Sequence, residues 1–152
     1  MAAMSLNVFA DKLDVIMPLI SKEFVRRHQN ELYRGTITMP QFLVLTYLEK
    51  QGAVRMTDLA IYMNVSTAAM TGAISRLVRL AYVRREADAK DRRIIKVRLT
   101  AKGEAVVRKV HDERRQSFID VFGKISETER EDYLRILMRI KEALSLQNKD
   151  PR

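Results

Sequence analysis

The 152-residue chain has no cysteine and no tryptophan, and only two histidines, three prolines and five glycines. Without thiols there can be no disulfide, no thiolate metal site and no cysteine redox sensor. The two imidazoles, His28 and His111, lie far apart in sequence, and nothing else calls for a metal or a cofactor. No glycine-rich phosphate loop, nucleophile elbow or HExxH pattern occurs, so an enzyme reading finds little support. No apolar run approaches the ~20 residues of a membrane-spanning helix. Met1 to Ala10 holds neither a basic residue nor a long apolar core, which leads to the expectation of a cytoplasmic protein without a signal peptide. What is present is 47% hydrophobic and 31% charged, a globular composition at a length that predicts one domain.

Charge of one sign is in excess. The formal net charge is +9, and the usual partners of such a chain are nucleic acid or an anionic membrane. The position of the charge discriminates better than its sum. Between Arg55 and Arg98 stand ten basic and four acidic residues, so +6 of the +9 falls in under a third of the length. Such clustering is the footprint of a phosphate-binding surface.

Apolar periodicity and capping signals divide the chain. Residues 5–34 read as a helix on the spacing of Leu6, Phe9, Leu13, Met17, Ile20 and Phe24, with Pro18 predicting a kink. Thr38 followed by Gln41 is a capping-box pattern opening a second helix, which ends near Gly52. A short third helix is expected from Thr57 to about Met63, then a tight turn at Asn64-Val65. Ser66 caps a fourth helix running to about Leu80, with Met70, Ile74 and Leu77 as its apolar stripe. Two strands follow, Tyr82–Arg85 and Ile94–Leu99, flanking a charged tip from Ala87 to Arg93. Thr100 caps a fifth helix of about 33 Å that reaches Phe122. Its middle, His111 to Ser117, is polar all round, as in a helix bridging two packed regions. Ser126 with Glu129 opens the last helix, whose stripe is Tyr133, Leu137, Ile140 and Leu144; a tail from Gln147 to Arg152 is expected to be disordered.

Two helices joined by a tight turn make a helix-turn-helix, and the second of the pair is the one that enters the major groove. Opposite its apolar stripe this helix carries Ser66, Thr67, Ala68, Thr71, Gly72, Ser75, Arg76 and Arg79. Small residues permit close approach, hydroxyls meet phosphates or bases, and arginine reads guanine edges. A merely solvated face would favour Glu, Lys and Gln, and this one has no acid. Arg55 and Thr57, near the start of the preceding helix, and Lys90, Asp91, Arg92 and Arg93, in the hairpin, complete the candidate DNA-binding set.

The hairpin Asp88-Ala89-Lys90-Asp91-Arg92-Arg93, followed by Val97-Arg98-Leu99-Thr100 and Gly103, resembles the D-x-x-D-R-R … L-T-x-x-G signature of the MarR family of transcriptional regulators. Thr38 to Leu45 and Asp58-Leu59-Ala60 resemble that family's second- and third-helix patterns, and the resemblance extends over nearly the whole chain. It implies a mainly α, winged helix-turn-helix fold with a small β-hairpin wing and N- and C-terminal dimerisation helices: one domain over 1–152, with 5–34 and 101–146 for dimerisation and 38–100 for DNA binding. It implies a wing arginine in the minor groove, Arg92 or Arg93, oriented by donating a charge-assisted hydrogen bond to Asp91. Four positions depart from the pattern. Gly72 stands where many members are basic, Ala81 and Asn64 replace common glycines, and Pro18 is unusual.

The terminal helices carry more large apolar side chains than one such subunit can bury, which places Leu6, Phe9, Leu13, Phe118, Phe122, Tyr133, Leu137, Ile140 and Leu144 at a homodimer interface. The resemblance also implies a small aromatic or phenolic effector. Met17, Phe24, His28, Tyr33, Met39, Phe42 and Tyr47 are the candidate pocket residues, with Met63 a further adaptable side chain, although each taken singly reads more readily as core. The expected function is a repressor that binds double-stranded DNA at a pseudo-palindromic operator, not a membrane. Two other readings stay open: an architectural DNA-binding protein with little sequence preference and no effector, and a basic adaptor for protein or membrane surfaces.

Overall fold

A computed structural model describes residues 4–27 and 32–147. The order of elements is α1 (Leu6–Arg27), α2 (Met39–Gln51), β1 (Val54–Arg55), α3 (Met56–Tyr62), α4 (Thr67–Arg79), β2 (Val83–Ala87), β3 (Ile95–Leu99), α5 (Ala101–Phe122) and α6 (Glu127–Gln147). The chain divides into two compact units, one through Arg114 and the other from Arg115, so the boundary falls within α5 in its polar stretch. Among the described residues, no helix is long and apolar enough to cross a membrane.

Capping chemistry explains most of the boundaries in the first unit. The Thr38 hydroxyl accepts the Gln41 N–H while the Gln41 side chain accepts the Thr38 N–H, so α2 opens on a reciprocal box. The Ser66 side chain accepts from the Ala69 N–H and opens α4. Both α3 and α4 close in the same way. Asn64 (φ 51°) and Ala81 (φ 59°) take the left-handed conformation. The N–H of Val65 then reaches Ala60 O at 3.0 Å, and that of Tyr82 reaches Leu77 O at 3.0 Å. These are Schellman motifs, and the first of them is the turn of the helix-turn-helix. Asn tolerates this geometry through its short polar side chain; Ala81 accepts a strain of about 1–2 kcal/mol.

The strands form a three-stranded antiparallel sheet in the order β1-β3-β2. Register places Val83, Arg85 and Ala87 beside Leu99, Val97 and Ile95, and Arg84 and Glu86 beside Arg98 and Lys96. Side chains directly opposite in an antiparallel pair share a face, so the two sets occupy opposite sides of the sheet. Val83, Val97 and Leu99 close one side of the core. Phe42, Leu45 and Leu48 of α2, Leu59 of α3, Met70, Ile74 and Leu77 of α4, and Val106, Val107 and Val110 of α5 supply the rest. Each fully buried side chain of this size contributes about 1.5–3 kcal/mol.

Several expected boundaries move. The first helix does not run to residue 34: α1 ends at Arg27, and Leu32 to Gly35 form a turn closed by Gly35 N–H to Leu32 O at 3.2 Å. Leu32 packs against the core there. The third helix starts one residue early, with Arg55 at its N-cap and no side-chain cap. The first wing strand begins at Val83, because the Tyr82 N–H is consumed by the α4 motif. The second begins at Ile95, because the Ile94 N–H bonds Asp91 O across the tip. Strand β1 is an element that the sequence pattern does not signal. Two residues are too few to alternate, and Val54 is strand only because Val97 lies beside it. Gln147 ends α6 rather than starting the tail, and residues 148–152 lie outside the described residues.

In the second unit Gly123 follows α5, and Ser126 and Glu129 form the expected reciprocal box before α6. The Arg130 guanidinium ties the turn by donating to Phe122 O (3.1 Å) and Ile125 O (2.6 Å). Phe118, Phe122 and Tyr133 form a chain of ring contacts at 6.1 and 5.1 Å.

Candidate nucleic-acid interface

The reading helix α4 buries one stripe and exposes the rest. Met70, Ile74 and Leu77 are buried, while Ser66, Thr67, Ala68, Thr71, Gly72, Ser75, Arg76 and Arg79 are all exposed. Two of the hydroxyl hydrogens on this face are spent locally. Thr71 donates to Thr67 O and Ser75 to Thr71 O, each at 2.8 Å. Those two hydroxyls can therefore only accept, and the charged donors toward a ligand are the arginines. Arg76 rests on Thr36 O at 3.2 Å. Arg55 and Thr57, at the start of α3, are exposed.

The wing sorts its charges. On the outward side of the sheet Glu86 holds both Arg84 and Arg98, at 3.4 and 3.0 Å, and Asp88 pairs with Lys96. Of the ten basic residues between Arg55 and Arg98, these three are ion-paired, sharing two carboxylates. Among the described residues the other seven have no carboxylate partner: Arg55, Arg76, Arg79, Arg85, Lys90, Arg92 and Arg93. Those seven lie on the helix-turn-helix and at the wing, where a phosphate backbone would meet them without first breaking an ion pair.

The tip is built on two aspartates. Asp88 Oδ1 accepts the N–H groups of Lys90 (2.8 Å) and Asp91 (3.2 Å), and its other oxygen pairs with Lys96. Asp91 Oδ1 accepts the Arg93 N–H at 3.0 Å. The expectation that Asp91 holds an arginine side chain is thus corrected. It orders the wing through the backbone of Arg93, since a short Asp side chain closes its own turn more readily than it reaches a guanidinium. Asp88 was missed as a site residue; its place at the head of the charged tip, two residues before Lys90, was the available signal. Arg85 was missed as well, and here the sequence held no signal beyond its charge. Its guanidinium donates to the Ser75 hydroxyl at 2.8 Å, joining β2 to α4.

The Lys96 ammonium, and after it the Lys90 and Asp91 N–H groups, hold the Asp88 carboxyl at about 2, below the usual 3.8. A depressed carboxyl stabilises structure above its unfolded value and loses that contribution as pH falls through its folded value. The tip should therefore stay ordered at pH 4 and loosen only toward pH 2. In an NMR acid titration the Lys90 and Asp91 amide shifts should move with a midpoint near about 2. A midpoint at or above the ordinary aspartate value would contradict the hub.

The candidate pocket residues scatter. Met17 on α1 and Met39 at the start of α2 are exposed, and Phe24 and Tyr33 are half-buried. Phe42 is a core residue whose ring lies 5.6 Å from that of His111. Tyr47 packs against the core and stacks on Tyr62 at 3.9 Å. His28 lies outside the described residues.

Comparison with known proteins matches residues 37–95 to the model of the MarR family. An HTH-type transcriptional regulator of Bacillus subtilis, YpoP, is 27% identical over 113 residues, 73% of this chain and 80% of its own length. The crystal structure of RV1404 from Mycobacterium tuberculosis superposes with a TM-score of 0.78 and 28% identity, covering 94% of this chain and 97% of that one. A MepR-like protein, solved with pseudoligands, is 32% identical over 88% of this chain and 94% of its own, with a TM-score of 0.54. With the capped helix-turn-helix and the charged wing in place, these likenesses make the chain a member of the MarR family of winged helix-turn-helix DNA-binding transcriptional regulators.

Proposed function

We propose that this regulator is a homodimeric repressor of a pseudo-palindromic operator, with α4 in the major groove, the wing at the adjacent minor groove, and release by a small-molecule effector. The observation that carries the DNA reading is the exposed, acid-free face of α4, together with seven cations that no carboxylate among the described residues pairs with. Arg76 is the side chain placed to read a base edge; Arg92 and Arg93 belong to the backbone or the minor groove. What supports two copies is the apolar surface of the terminal helices. Leu6, Phe9 and Leu13 on α1 are 40–79% exposed, and Phe118, Tyr133, Leu137, Ile140 and Leu144 of the second unit 41–59%. Exposed apolar faces of this extent mark an interaction surface. Phe122, partly buried in its aromatic cluster, adjoins that surface. The effector rests on the MepR-like relative having been solved with pseudoligands. Its chemistry, aromatic or phenolic, rests on the family resemblance.

The test is to select bound fragments from a pool of random duplexes. Sequence-specific dimers should enrich an inverted repeat whose half-site centres lie about 34–36 Å apart along the helix. A single unrepeated half-site would refute the dimer, and an unenriched pool would favour the architectural reading.

A further inference from the structure

The position of Arg85 goes beyond the wing-and-helix division. Because β2 and β3 pair with Arg85 opposite Val97, the Arg85 side chain leaves the sheet on the face that packs on the helices, not on the outward face where Glu86 collects Arg84 and Arg98. An apolar residue would be expected on that face, as Val83 is two residues earlier. Arg85 instead extends past the edge of the core and ends on the Ser75 hydroxyl of the reading helix, at 2.8 Å. Both residues are exposed, and no carboxylate competes for the guanidinium among the described residues.

We propose that Arg85 binds the sugar–phosphate chain running between the two grooves that the protein occupies. This rests on the placement of α4 in the major groove and the wing in the neighbouring minor groove. Two adjacent grooves are separated by one backbone strand, and the side chain that spans from wing to reading helix faces that strand. The Ser75 hydroxyl is a neutral acceptor in solvent, whereas a phosphate offers a charge-assisted and bidentate partner, so the guanidinium transfers to phosphate on docking. In the free protein Ser75 holds the arginine near its bound position, which lowers the ordering cost of the contact. Arg85 thus adds affinity and register without reading a base.

The experiment is fluorescence anisotropy of a labelled mixed-sequence duplex of about 30 base pairs, titrated at several NaCl concentrations, with circular dichroism to confirm folding. Arg85→Ala should flatten the plot of log affinity against log salt by about 0.9 for each copy of the chain on the duplex. Arg85→Lys should restore the slope, because it keeps the charge. Ser75→Ala should keep the slope too, whatever its effect on affinity at one salt concentration, because it removes no charge and the arginine stays available to phosphate. An Arg85→Ala slope equal to the wild type, while Arg92→Ala flattens it, overturns the role of Arg85 alone. Equal losses of slope in Ser75→Ala and Arg85→Ala overturn it as well, since the bond would then be only a structural tie. If neither Arg76→Ala nor Arg92→Ala alters binding, the docking geometry beneath the proposal fails with it.

Discussion

Raising NaCl from 50 to 200 mM is expected to weaken duplex binding roughly 10³–10⁵-fold, the change that accompanies release of counterions from about 6–10 phosphates. The seven cations of one copy that have no carboxylate partner among the described residues would, in a dimer, exceed that number of contacts without recruiting any ion-paired residue. The same pairing pattern yields an internal control. Arg84 and Arg98 share Glu86 on the outward side of the sheet, so replacing either should leave the salt slope nearly unchanged. Replacing Arg92 or Arg93 should reduce it by about one unit for each lost phosphate contact. Equilibrium titrations across salt concentrations check both arms. A slope of about −1 to −2 would mean that these cations do not meet phosphates, whatever the affinity at one salt concentration.

Gly103→Ala should be the most damaging of the glycine-to-alanine changes, costing at least the upper end of the ~1–3 kcal/mol usual for overpacking. A Cβ at Gly103 would stand 2.0 Å from the Tyr82 carbonyl oxygen and 3.0 Å from Leu99 Cδ2. The first obstacle is backbone and cannot rotate away. Relief requires the first turn of α5 to withdraw from the start of β2. That would break the contacts of Thr100, whose hydroxyl donates to Ala81 O and accepts the Gly103 N–H. Gly72→Ala, also in a helix, is the matched control. Nothing lies within 4 Å of its Cβ position, and the gain in helix propensity is about 1 kcal/mol. Urea melts of the two variants should therefore shift in opposite directions. A Gly103→Ala protein as stable as the wild type would show that α5 does not pack this tightly on the wing.

Both glycines stand inside helices, and although Gly103 belongs to the L-T-x-x-G pattern, the steric reason for it lies only in contacts with residues far along the chain. The same holds for the positively charged residues. The sequence shows a basic hairpin beside a hydroxyl- and arginine-rich helix, and this sufficed for the helix-turn-helix, the wing and the family. It could not say which cations are neutralised, because the pairs Arg98–Glu86 and Lys96–Asp88 span 12 and 8 residues and depend on strand register. Nor could it place Arg85 on Ser75, for a one-residue slip would send that side chain to the other face.

Local chemistry determined what the sequence could show by itself. The Thr38, Ser66 and Ser126 caps, the left-handed turn at Asn64 and the buried stripe of α4 each depend on residues within one or two turns of one another. Tertiary structure alone decided the two-residue strand at Val54, the close approach at Gly103, the backbone role of Asp91 and the division of the cations into paired and unpaired. The physical reason is range. Caps and periodicity are satisfied within a single element, whereas ladder pairing, steric closeness and ion pairing across strands exist only after the core formed by α2, α3, α4 and α5 has brought the sheet into register.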